Sequence, residues 1–142
     1  MKTVLVAGDF GRGIGGVLHP GHIDHLLKAA MLGDHLIVVT HPDDSIRHRK
    51  GYEPDRLAVR MGRIGSLLSR KGISHTITLA VDTDGTVAKT LELYRPAIFA
   101  KGGDRTPDNM PACEVEVCLR LGIEIRYGIG DLLGSSRELA KR

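Results

Sequence analysis

From one end to the other, the chain alternates short apolar runs with segments whose apolar residues recur at helical spacing. Val4-Leu5-Val6-Ala7, Leu36-Ile37-Val38-Val39 and Ala97-Ile98-Phe99-Ala100 are continuous apolar runs too short for helices. Runs of that kind suit strands covered on both faces. Strands are expected near 3–8, 35–40, 73–80, 97–101 and 123–127, and helices near 21–32, 55–71, 85–94, 111–121 and 135–141. In the second helix, Leu57, Met61, Ile64 and Leu68 form the apolar stripe, and Gly62 and Gly65 weaken it. Strands that alternate with helices imply an α/β fold. The expectation is a single doubly wound Rossmann-like domain over 1–142, a five-stranded parallel sheet with helices on both faces. Such sheets bind ligands beyond the carboxyl ends of their strands. The informative loops are therefore 9–20, 41–54, 81–84, 101–110 and 128–135.

Composition narrows the function classes. The 142 residues are enough for one domain with a real core. Trp is absent, so Val, Ile, Leu and Ala must build that core. No run of apolar residues is long enough to span a bilayer, so no membrane partner is expected. Met1–Gly8 reads as a first strand rather than a signal peptide. Cys113 and Cys118 fall on different faces of one expected helix, so no disulfide is expected and the cytoplasm is the simpler location. A net charge of +3 is too small to argue for nucleic acid. Arg47-His48-Arg49-Lys50 is a local basic cluster with two open readings, a solvated loop or a phosphate clamp.

The stretch Leu18–Leu27 carries the strongest chemical signal. Ile23, Leu26, Leu27, Ala30 and Met31 recur at helical spacing, and Gly33 is placed to end the helix as its C′ residue. His19 then stands just before the helix and His22 in its first turn, where free N–H groups and the dipole favour an anion. His19, His22 and His25 have an H-x-x-H-x-x-H spacing, but on a helix the third has turned away from the first. No metal ligand is expected among them, and His25 is read as structural. The glycine-rich loop 8–18 nearly spells a dehydrogenase pattern. No Tyr-x-x-x-Lys accompanies it: Arg56, Ile98 and Asp131 stand four beyond Tyr52, Tyr94 and Tyr127.

His19-Pro20-Gly21-His22 resembles the H-x-G-H signature of the nucleotidyltransferases that include cytidylyltransferases and sugar-phosphate adenylyltransferases. Gly8-Asp9-Phe10 resembles the G-x-F that opens the motif, and Lys101-Gly102-Gly103-Asp104 resembles the K-G-G-D loop of heptose-phosphate adenylyltransferases. Lys50 and Arg56 resemble the family's basic loop residue and its helix arginine. Gly134-Ser135-Ser136-Arg137 resembles a Ser/Thr-rich phosphate motif, although Ser135-x-x-Glu138 alone makes a capping box. The chain departs from the family in three places. Phe10 and His19 are further apart, leaving segment 11–16 to bulge over the site or make an oligomer contact; Ala97 replaces an Asp; Gly134 replaces a hydroxyl.

The resemblance implies that His19, His22 and Lys50 are catalytic. It implies nucleotide contacts from Gly8, Asp9, Phe10, Gly21, Arg56, Lys101, Gly102, Gly103, Asp104, Ser135, Ser136 and Arg137. The implied reaction transfers AMP or CMP from ATP or CTP to a sugar phosphate or a polyol or alcohol phosphate, with release of pyrophosphate. A phosphate nucleophile is already ionised near neutrality, its second pKa being about 6, so no protein base is needed. Positioning and charge neutralisation remain. Mg²⁺ is expected to bridge phosphate oxygens. A homodimer is implied, with no nucleic-acid partner. The competing reading is a nucleotide-binding regulatory module without turnover.

Overall fold

A computed structural model of the chain describes residues 1–13 and 18–130. The described elements are β1 (Thr3–Ala7), α1 (Pro20–Ala30), β2 (His35–Thr40), α2 (Asp43–Lys50), α3 (Leu57–Arg70), β3 (His75–Leu79), α4 (Ala88–Tyr94), β4 (Ile98–Ala100), α5 (Ala112–Leu121) and β5 (Glu124–Arg126). A 3₁₀ turn, Pro107–Asn109, precedes α5. The expected helix at 135–141 lies outside the described residues.

All five strands are parallel, in the order β3-β2-β1-β4-β5. Successive side chains of a strand point to opposite faces, and each central strand feeds two cores. Val4, Val6, Leu36, Val38, Ile98 and Ala100 pack with α1 and α3 through Leu26, Ile64 and Leu68. Leu5, Ile37, Val39 and Phe99 pack on the other face with Leu91 of α4 and Val117 of α5. Helices therefore cover both faces, as the apolar runs require. The chain winds outward from β1 to β3, returns, and continues from β4 to β5. The switch point lies between β1 and β4, which makes the loops after those two strands the place for a ligand.

Several local expectations are corrected. Residues 41–54 hold a helix, α2, where a loop is expected. Only Ile46 of α2 is buried, so no apolar stripe announces it. Polar signals hold it instead: Asp43 and Asp44 in its first turn, a basic last turn, and Gly51 in the left-handed conformation behind it. Gly33 is not a left-handed C′ residue; a Cβ there would sit 2.7 Å from the Lys2 carbonyl, so close approach of β1 explains it. Met31 caps α1 and is exposed rather than packed. In α3 the buried face is Arg60, Ile64, Leu67 and Leu68. An arginine thus occupies a position that an apolar stripe cannot reveal.

Candidate functional site

A pocket of about 270 Å³ opens at the switch point. Gly8, Asp9 and Phe10 line it from the end of β1, and Gly21, His22 and His25 from α1. Arg49 and Lys50 reach it from α2, and Lys101 to Arg105 from the end of β4. Most of the expected site residues are thereby brought together from four separate segments. Three are not described: Ser135, Ser136 and Arg137 lie outside the described residues, as do Ile14 to Val17 of the glycine-rich segment. The flank of that segment is docked on the stretch before α3, with Asp55 donating its N–H to the Gly11 carbonyl at 2.7 Å.

The start of α1 is organised by His19. Its Nδ1 accepts the Gly21 N–H at 3.0 Å, and its carbonyl accepts the N–H groups of His22 and Ile23 at 2.9 and 3.0 Å. The N–H groups expected to be free for an anion are therefore already engaged, and the helix dipole is what remains. A neutral His19 that accepts at Nδ1 carries its proton on Nε2. His19 is buried beside His22, with ring centroids 5.6 Å apart, and His22 is the one at the pocket wall. Phe10 meets His22 edge-on at 5.0 Å and holds a left-handed backbone, φ 48°. Such a conformation in a non-glycine residue is strained and is held by its surroundings. Burial, then the neighbouring charges of His19 and His25, pushes His22 down to about 4, so its imidazole is neutral at neutral pH. Its Nδ1 is buried without a hydrogen-bond partner among the described residues.

Beside His22 stands an ion cluster. Asp9 pairs with Arg49 at 2.9 Å and with Lys50 at 3.2 Å. Burial raises the Asp9 pKa, but the Arg49 hydrogen bond and the Lys50 charge outweigh it, and the net shift is downward. Arg49, one of the basic cluster read either as a solvated loop or as a phosphate clamp, lines the pocket from a helix that carries no periodic signal. Arg56 is not brought to the pocket. It is the exposed N-cap residue of α3. One turn on, Arg60 is fully buried and binds the carbonyls of Asp9, His41 and Asp55, the Thr40 hydroxyl at 2.9 Å and Asp43 at 2.5 Å. It ties the loop after β1 to the loop after β2 and so fixes where Asp9 stands.

On the β4 side, Lys101 is buried with its ammonium 4.6 Å from the centre of the Phe99 ring. Burial lowers its pKa. Gly103 and Asp104 form the exposed rim, and Asn109 donates to the Asp104 carbonyl at 3.0 Å to hold the turn. His25, read as structural, does serve structure: its Nδ1–H donates to the Ile129 carbonyl at 2.6 Å. It also lines the pocket. A second cavity, about 440 Å³, lies between α1 and α3 and is lined by Leu18, Ile23, Val59 and Leu67. It holds none of the expected site residues.

No family model matches the chain. Curated relatives do. The bifunctional protein HldE of Nitrosococcus oceani is 34% identical over 104 residues, covering 71% of this chain and 20% of the relative. HldE of Syntrophotalea carbinolica is 37% identical over 110 residues, covering 77% of this chain and 21% of the relative. A crystal structure of the lipopolysaccharide core biosynthesis protein from Thermoplasma volcanium matches with TM-score 0.66 at 27% identity. It covers 92% of this chain and 97% of that one. The chain belongs to the HxGH-motif nucleotidyltransferase family. It spans about a fifth of the length of the HldE relatives. The family's motif and its K-G-G-D loop are the segments that meet across this pocket.

Proposed function

We propose that the protein is a nucleotidyltransferase that moves AMP or CMP from a nucleoside triphosphate onto a phosphorylated sugar or polyol. The observation that carries this reading is the convergence of His22, Lys50 and the Lys101–Asp104 loop on one basic pocket at the sheet's switch point. A phosphate oxygen of the acceptor attacks the α-phosphorus. The new P–O bond forms as the bond to the β-phosphate oxygen breaks, and pyrophosphate leaves. In this reading Lys50 and Arg49 balance the charge of the leaving pyrophosphate. His22, neutral and poorly solvated, donates a hydrogen bond whose value grows as charge develops. His19 sets the position of His22 and of the helix start. Lys101, Gly102, Gly103 and Asp104 hold the nucleoside.

The donor set bears on magnesium. Asp9 is the carboxylate beside the basic cluster, and it is already bound to two cations. Magnesium would therefore enter with the nucleotide rather than on a cage of protein ligands, and would supply neutralisation of phosphate charge. ATP is the favoured donor because of the Lys101–Asp104 sequence, with CTP next. The proposal also includes a homodimer. It places the chain in the cytoplasm, which the free thiols of Cys113 and Cys118 suit. Among the described residues no helix is long and apolar enough to cross a membrane.

Pyrophosphate release from ATP, CTP, GTP and UTP, each paired with sugar 1-phosphates and glycerol 3-phosphate, tests the reading. Release with at least one pairing is expected. Nucleotide binding without release under every pairing would replace the transferase by a nucleotide-binding module.

A further inference from the structure

One wall of the pocket holds two charged groups that lack a full set of partners among the described residues. Glu114, in the first turn of α5, is only 4% exposed. Its Oε2 accepts the Val87 N–H at 3.0 Å, while Oε1 is buried with no hydrogen-bond partner among the described residues. Lys101 is 9% exposed, and its ammonium rests on the Phe99 ring, with no hydrogen-bond acceptor among the described residues. Glu114 is the strongest opposing charge that Lys101 feels. Both line the same pocket, between Val87 and Pro111. A buried polar group without a partner is costly, and most such groups in folded proteins find one.

The chemistry of the two groups selects what can complete them. The Lys101 ammonium only donates, and the Glu114 side chain accepts, as it does from the Val87 N–H. A phosphate or carboxylate placed there would meet Glu114, and an ammonium would meet Lys101. An apolar group would leave both unpaired. A hydroxyl both donates and accepts, so its chemistry suits both groups. The phosphate groups of a substrate are drawn to the other end of the pocket, where Arg49 and Lys50 stand.

We infer that Glu114 and Lys101 form a subsite for a hydroxyl of the uncharged part of a bound substrate, which makes Glu114 a specificity residue. The inference rests on the transferase reading of the pocket and adds a residue that no motif marks. The hydroxyl belongs either to the ribose of the nucleotide or to the polyol of the acceptor.

Calorimetric binding with matched probes tests it. One arm compares ATP with 2′-deoxy-ATP and 3′-deoxy-ATP; the other compares glycerol 3-phosphate with propyl phosphate. Wild type should lose about tenfold or more in affinity within one arm, the value of a hydrogen bond to a charged group. The arm that shows the loss names the source. In Glu114→Gln, which keeps an acceptor for Val87, the loss within that arm should shrink to about twofold, while tripolyphosphate binding stays unchanged. Should Glu114→Gln fail to fold, Lys101→Gln serves for the same comparison. No hydroxyl-dependent difference in either arm, or an equal difference in the variant, overturns the inference. Pyrophosphate release by wild type is measured alongside. Hydroxyl-dependent binding without release keeps the subsite and removes the transferase reading; release without hydroxyl dependence does the reverse.

Discussion

The two ends of the pocket solve the problem of buried charge in opposite ways. At the His22 end, Asp9, Arg49 and Lys50 satisfy one another, and Arg60 braces them from behind. At the Lys101 end, an ammonium and a carboxylate are both buried, and Glu114 Oε1 has no partner among the described residues. At the first end the charges pair with one another, although His22 Nδ1 has no partner among the described residues, so an entering phosphate must compete with Asp9 for its cations. The second keeps an acceptor that none of the described residues fills. A substrate bound as proposed would exchange ion pairs at one end and supply a polar partner at the other.

The largest expected effect lies at the first end. His22→Ala should lower kcat by roughly 10²–10³-fold while nucleotide affinity changes little, since its hydrogen bond grows in value as charge develops on the leaving group. Steady-state kinetics with a parallel binding titration checks this. Normal turnover in the variant would break the distinction between the ends. Arg60→Met comes next. It removes a fully buried cation from five partners and should cost about 3 kcal/mol or more in urea unfolding, as for one half of a buried pair.

The ends should also titrate in different windows. His22 is near 4 when folded and near 6.5 when unfolded, so the unfolded chain takes up the proton first as pH falls. The stability that neutral His22 contributes is fully present above pH 6.5 and is lost towards pH 4, by up to about 3 kcal/mol. His25 and His41, also lowered by burial, act in the same direction. Lys101 is lowered from 10.5, so its contribution makes stability rise with pH just below that value. Unfolding curves from pH 4 to 10.5 check both, with His22→Asn flattening only the acid limb. The smallest effect concerns Asp9. Asp9→Asn should tighten tripolyphosphate binding by about threefold, because partly exposed ion pairs with Arg49 and Lys50 no longer compete. Weaker binding in that variant would mean that Asp9 orders the cations rather than masking them.

Legibility in the sequence followed the strength of periodic signals. The strands and α1, α3, α4 and α5 are readable because apolar runs and stripes face two packed cores. Helix α2 is unreadable by that means, since Ile46 alone is buried and its stability comes from capping charges. With α2 went the placement of Arg49. The resemblance marks Arg56 and is silent on Arg60, and only the packed face of α3 shows that Arg60 turns inward. Glu114 carries no motif at all. Its role depends on the meeting of α5, Val87 and Lys101, residues distant in sequence.

In the proposed reaction the α-phosphorus is the atom attacked. Phosphorus NMR of ATP or CTP mixed with a sugar 1-phosphate or glycerol 3-phosphate tests it directly. The account predicts growth of free pyrophosphate together with two new coupled diphosphate resonances of a nucleoside-diphosphate-linked product, both lost in His22→Ala. Orthophosphate and nucleoside diphosphate instead, marking transfer or hydrolysis at the γ-phosphate, would contradict it.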